Sequence, residues 1–283
     1  MHGHNFELRR RTYQSLRAVS VAAAIACMLA GERVARADDA VGISLHFTPG
    51  AHYQRTEKLI HFITYDISKT LKGLAGGRAD DVTILEDRTR TLSMLDSSGK
   101  IQVTEENTRR FGGANPKDKS VKQRSDKYEG TIWPNGVTRP ASTALGDVGD
   151  GALDQLPDKP LAVGQTWTFD RPVKVDRELG QGRMTYTDKL TRIEERGGHR
   201  IAIIDVTGTG RVDAAKDLQA KGFHTAPIAL KGTAEFDTTT GLPGTQHYTA
   251  DVEWVTRVMF AKIGVKFHDT YDATPWTVKV KNT

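Results

Sequence analysis

Past Cys27 the 283-residue chain has no cysteine. This excludes disulfides, thiol nucleophiles, cysteine-ligated zinc, iron–sulfur clusters and thiol redox chemistry from everything downstream, so the fold must be held by its own core. A long apolar run is also missing: the longest, Ala18–Ala30, is too short to span a bilayer. Nor is there a real excess of one charge. The formal net charge is +5, but six of the 40 Lys and Arg and two of the 35 Asp and Glu lie in residues 1–37, which leaves 34 against 33. The usual electrostatic case for a nucleic acid or an anionic membrane as partner therefore fails.

The motifs that announce chemistry are scarce as well. The histidines after residue 37 form no H-x-H or H-E-x-x-H pair, and His247 and His268 fall on the polar parity of their strands, where a solvated ring is expected. The stretch holding Asp147, Asp150 and Asp154 lacks the D-x-[DN]-x-[DN]-G spacing of a calcium loop and reads as linker. No G-x-S-x-G elbow occurs. Glu86-Asp87 and Glu105-Glu106 sit on strands, where neighbours point to opposite faces, and read as solvated edge residues rather than acid–base pairs. "GTGRVD" and "GQGRMT" lack the following helix of a phosphate cradle, and the basic stretch "KDKSVKQRSDK" lacks aromatics for base stacking and reads as a solvated loop. No catalytic residue, metal ligand or cofactor site is assigned.

What is present begins with an export signal. Arg9, Arg10, Arg11 and Arg17 precede the apolar run, and Ala35-Arg36-Ala37 forms an A-x-A site, so residues 1–37 read as a signal peptide cleaved after Ala37. Arg10-Arg11-Thr12-Tyr13 fits a twin-arginine signal poorly, and Cys27 lies too deep in the apolar run to suit lipidation. The expected location is periplasmic or extracellular, with no transmembrane segment in residues 38–283.

Period-two alternation dominates the remainder. In "QHYTADVEWVTRVMF", Tyr248, Val252, Trp254, Val258 and Phe260 share one parity and His247, Thr249, Asp251 and Glu253 the other. "VGISLHF" and "IGVKFHD" repeat the pattern. Helical signals are confined to Asp213–Lys221 and a stretch near Ile67–Leu74. "TPGA", "DSSGK", "PNG", "RGGH" and "TTTGLPG" supply turns, and short turns imply antiparallel pairing. The expected fold is mainly β, with antiparallel curved sheets or an open barrel and few short helices. Residues 38–283 form either one domain or two similar halves, 41–139 and 156–283, joined by a linker over 140–155; the two halves match in layout more than in residues.

The stretch Leu156-Pro157-x-Lys159-Pro160-x-x-Val163-Gly164-x-x-Trp167 opens the second half. Proline holds it extended, Gly164 permits a turn, and Trp167 and Phe169 share the face of the next strand, so it reads as scaffold. It resembles an element of exported bacterial β-proteins that share a domain of unknown function. Gly232, Phe236, Asp237 and Gly241 match the "G-x-x-x-F-D-x-x-x-G" hairpin of the same family. The resemblance implies a fold family and an envelope location, and it carries over no catalytic residue.

A curved antiparallel sheet has a concave face on which small open barrels hold apolar ligands. The stripe Tyr248, Val252, Trp254, Val258 and Phe260 is the candidate ligand-binding set, and packing of an ordinary core is the competing account of it. The expected role is a non-enzymatic envelope protein that binds an apolar small molecule or an envelope protein. The alternatives are a hydrolase whose site assembles from scattered polar residues and a purely structural surface protein.

Overall fold

The computed structural model of the chain describes residues 40–67, 82–112, 121–136, 138–139, 155–175, 179–258 and 261–279. The expected signal peptide, nearly all of the 140–155 linker and Phe260 lie outside the described residues.

Two antiparallel meanders make one sheet. The first holds β1 (His52–Ile67), β2 (Val82–Met94), β3 (Lys100–Gly112), β4 (Val121–Ile132) and the two-residue β5 (Thr138–Arg139). The second holds β6 (Thr166–Val175), β7 (Gly180–Arg196), β8 (His199–Ala214), β9 (Thr225–Asp237), β10 (Leu242–Val258) and β11 (Ala261–Ala273). A short β12 (Thr277–Lys279) pairs with the start of β1. The order is β5-β4-β3-β2-β1-β11-β10-β9-β8-β7-β6, so the meanders join where β1 meets β11. The sheet is antiparallel and not closed, and strands take up 74% of the described residues against 3% helix, which makes the class mainly β.

The alternation read from the sequence becomes two faces. Along β7 the positions Met184, Tyr186, Asp188 and Leu190 are buried, while Thr185 and Lys189 between them are exposed. The glycine turns fall between strands, as in the Gly197-Gly198 hairpin, where both residues have positive φ. Two expectations change. The described helix α1 (Lys216–Gln219) is shorter than Asp213–Lys221 because Asp213 and Ala214 finish β8. Ile67 ends β1, and the rest of the stretch near Ile67–Leu74 lies outside the described residues. The basic stretch from Val121 onward is strand β4, not loop, because its backbone pairs with β3 from Val121 to Thr131.

The segment 41–47 is not a full strand. Val41, Ile43 and Leu45 are buried while Gly42 and His46 are exposed, which is strand-like alternation, but ladder pairing is limited to one bridge with Leu161. Leu45 donates to the Pro134 carbonyl at 2.7 Å and His46 to the Gly241 carbonyl at 2.9 Å. This strap therefore touches the β4–β5 turn, the stretch before β6 and the β9–β10 turn. Beside it, the Leu156 amide donates to the Asn135 carbonyl at 2.7 Å. Loop bonds thus tie the two ends of the open sheet together without a strand ladder. The proline-rich stretch acts as scaffold here: Leu156 is buried, Gly164 turns at φ +93° and donates to Leu190, and the Trp167 indole donates to the Gln155 carbonyl at 2.9 Å.

One row across the outward face is polar. Lys189, Asp205, Thr233, His247, Asp272, Lys58 and Asp87 are successive register partners from β7 through β11 and β1 to β2. No described helix is long and apolar enough to cross a membrane.

Close approach of strands depends on glycine at several positions, Gly232 and Gly210 among them. A Cβ on Gly232 would lie 2.1 Å from the His247 carbonyl oxygen and 2.6 Å from the Tyr248 ring, and one on Gly210 would lie 2.1 Å from the Arg183 carbonyl oxygen. Gly42, in the strap, has nothing within 4 Å of its added Cβ. Gly232→Ala is expected to lower stability by about 1–3 kcal/mol, as overpacking does. Gly42→Ala is expected to leave it within about 0.5 kcal/mol. Urea unfolding followed by tryptophan fluorescence measures both.

Candidate functional site

The inner face of the sheet changes chemistry halfway across. On β6 to β11 it is built from Phe169, Val173, Met184, Tyr186, Ile204, Val206, Ile228, Leu230 and Phe267, all in one buried cluster that also takes in Val41, Ile43 and Leu45 of the strap. Tyr248, Val252 and Trp254 of the sequence-derived stripe belong to this cluster and are almost completely buried. Tyr248 stacks on Tyr271 with ring centroids 5.7 Å apart, and the Trp254 indole donates to the Val212 carbonyl at 3.3 Å. The structure brings these three together as packed core. Phe260 and the side chain of Val258 lie outside the described residues.

On β1 to β3 the same face carries charge. Arg55, Arg90 and Glu105 are register partners in one row, Glu57, Arg88 and Asn107 in the next, and Leu59, Glu86 and Arg109 in the third. Arg88 sits at the centre. Its guanidinium reaches Glu86 at 2.8 Å, Glu105 at 3.3 Å and Glu57 at 3.4 Å. Arg55 bonds Glu57 at 2.5 Å and the Tyr271 hydroxyl at 3.0 Å, and Arg90 bridges Glu57 and Glu105. Arg109 and the Asn107 amide both donate to Glu86. Side-chain exposure across the grid runs from 0% at Glu57 to 19% at Arg109, so these are desolvated ion pairs.

This corrects the sequence reading of Glu86 and Glu105 as solvated edge residues. β2 and β3 are interior strands, and the pairs split by parity: Glu86 and Glu105 turn inward onto arginines while Asp87 and Glu106 turn outward. A signal for it was present. Ile84, Glu86, Arg88, Arg90, Leu92 and Met94 share one parity, so the apolar residues at both ends mark the face on which the charges lie.

His61, the one histidine buried in the interior among the described residues, ends the grid. Its Nδ1 lies 3.1 Å from Asp269 and its Nε2 3.9 Å from Glu86, and its ring stacks on Phe267 at 5.7 Å. A hydrolytic dyad would present Nε2 to a nucleophilic hydroxyl, whereas here that nitrogen faces a carboxylate. His247 and His268 are exposed and pair with Asp272 at 2.6 Å and Asp251 at 2.7 Å, on the wet side where the sequence put them. No group of three His, Asp or Glu side chains among the described residues is arranged to hold a metal ion. Two hollows, of about 340 Å³ and 510 Å³, open near the β10–β11–β1 seam and share Thr245, Asp272 and Ala273.

Two buried acids behave in opposite ways. Burial pushes the Glu86 carboxyl up, but the adjacent His61 ring and the Arg88 and Arg109 charges outweigh it and hold the group far below the usual carboxylate range. Asp188, fully buried on β7, has no hydrogen-bond partner for either oxygen among the described residues, and burial pushes it well above that range. Burial likewise pushes the Tyr248 phenol up, with Tyr271 and Asp188 adding to the effect.

The consequences for stability have opposite signs. Glu86 stabilises the fold above its unfolded pKa of about 4.3, and that contribution is lost as pH falls. Asp188 favours the fold below about pH 3.9 and progressively less as pH rises. Asp188→Asn is therefore expected to raise the urea midpoint at pH 7 and to change it little at pH 3. Glu86→Gln, which leaves buried arginines short of a counter-charge, is expected to cost about 3–5 kcal/mol at pH 7 and less in acid. Urea titrations at the two pH values measure both.

No family model matches the chain. No curated protein matches it. Solved structures that it matches include one described as "Asymmetric conductivity of engineered proteins" and a mutant of the Rh. blastica porin, each at 10% identity and a TM-score of 0.25, covering 79% of this chain and 99% of the other. At that score the likeness carries no argument about fold or role.

Proposed function

We propose that the chain is an exported, non-enzymatic binding protein of the bacterial envelope whose ligand is an amphiphile, with an apolar tail against β6–β11 and a polar head at the arginine–glutamate grid. One observation carries this reading. Val206, Gly232, Tyr248, Tyr271, Leu59, Glu86 and Arg109 are successive register partners from β8 to β3, so a single inward row passes from apolar side chains to paired charges. A surface divided this way matches a molecule divided the same way, and a guanidinium-rich wall offers several donors to an ionic or zwitterionic head. The expected export signal supports the location, and the two carboxylates around His61 speak against the hydrolase alternative.

Native mass spectrometry of the chain exported through its own signal tests this. A species beginning at Asp38 with an adduct of lipid mass is the expected result. A species free of adduct that also fails to take up a dansylated fatty acid would leave a structural role as the better account.

A further inference from the structure

We infer that the tail of the ligand binds where the strap residues Val41, Ile43 and Leu45 now lie, so that the strap is a resident occupant displaced on binding. The inference rests on the amphiphile reading and gives the tail a place.

The strap is weakly paired for a segment so deeply inserted. Val41, Ile43 and Leu45 are as buried as the strands around them. Among the described residues, four backbone hydrogen bonds fasten it: Val41 to Leu161 and back, Leu45 to Pro134, and His46 to Gly241. β1, by contrast, lies in continuous register with β2 from His52 to Ile63 and with β11 from Glu57 to Ile67. Lifting the strap exposes few backbone groups, and water can satisfy them. Its loss uncovers apolar surface of the same cluster that contains Tyr248, Val252 and Trp254.

The far end of the strap is pinned. The Thr48 amide donates to the Tyr53 hydroxyl at 2.7 Å, Phe47 packs edge-on against Tyr53 with centroids 4.9 Å apart, and Gly50, at φ +79°, donates to the Met94 carbonyl at 2.9 Å. Residues 41–46 can leave as a unit without disturbing β1. The site they vacate is narrow and extended, shaped by alternate apolar side chains over a rise of about 3.3 Å per residue. That shape suits an unbranched acyl chain better than a compact ring system. Exchanging one apolar occupant for another conserves most of the buried area, so neither state is far favoured and a ligand can shift the balance.

A disulfide lock tests the displacement. Val41 and Leu161 exchange both backbone bonds, a geometry with Cα atoms about 5.5 Å apart, within disulfide range. Val41→Cys/Leu161→Cys in a Cys27→Ser background, exported as the full chain, would hold the strap when oxidised and free it when reduced. Uptake of a dansylated fatty acid should fall at least tenfold on oxidation and return on reduction. In the wild-type chain, saturation with the same probe should strip hydrogen-exchange protection from the Val41, Leu45 and His46 amides while the β1–β11 ladder keeps its own. Equal uptake by the oxidised and reduced forms would overturn the inference and leave the amphiphile reading standing. No uptake by the wild-type, oxidised or reduced protein would overturn both.

Discussion

Everything described depends on the ladder between β1 and β11. Among the described residues it is the one ladder that joins the first meander to the second, and it runs unbroken from Glu57↔Ala273 to Ile67↔Ile263. Without it there would be two sheets, each with half an inner face. With it, Arg55 can reach the Tyr271 hydroxyl, 216 residues away in sequence, and the charged half of the interior becomes continuous with the apolar half. Closing so long a loop costs entropy that grows only slowly with length, and a ladder of this extent repays it.

Much of this architecture was legible in the sequence. Alternation in β10 and β11 and the glycine turns placed the strands because one face is apolar and the other wet, and hydropathy registers that difference directly. Trp254 and Tyr248 were placed on the correct face for the same reason. The grid was harder to read, since a charged residue that turns inward looks like one that turns outward when strands are read singly. Its stability comes from register: Arg88 is tolerable in the interior because Glu57 is opposite it on β1 and Glu86 and Glu105 are within reach. Those partners come from three strands, and sequence spacing alone does not line them up. The strap shows a different limit. "VGISLHF" has the period of a strand, but its neighbours are turns from both meanders, so it forms a bridge where a ladder was expected.

The grid also raises an energetic question. Desolvated ion pairs seldom stabilise a fold more than well-packed apolar side chains of the same volume would. Arg88 with three carboxylates in reach, and Glu86 with two guanidiniums, an amide and a nearby histidine, offset much of the desolvation through several charge-assisted contacts each. Asp188 has no such compensation, and burial drives it toward its neutral form. The interior thus contains one acid kept ionised by its partners and another pushed toward protonation by their absence.

The two faces of the sheet also divide its response to salt. The outward row from Lys189 through Asp205, His247, Asp272 and Lys58 to Asp87 sits in water, where ions at physiological strength screen charges beyond about 8 Å. The inward grid lies behind the sheet, where burial limits the access of mobile ions. A chain with this construction can have its surface potential retuned by every change in the surrounding medium while the charges that shape its interior keep their strength.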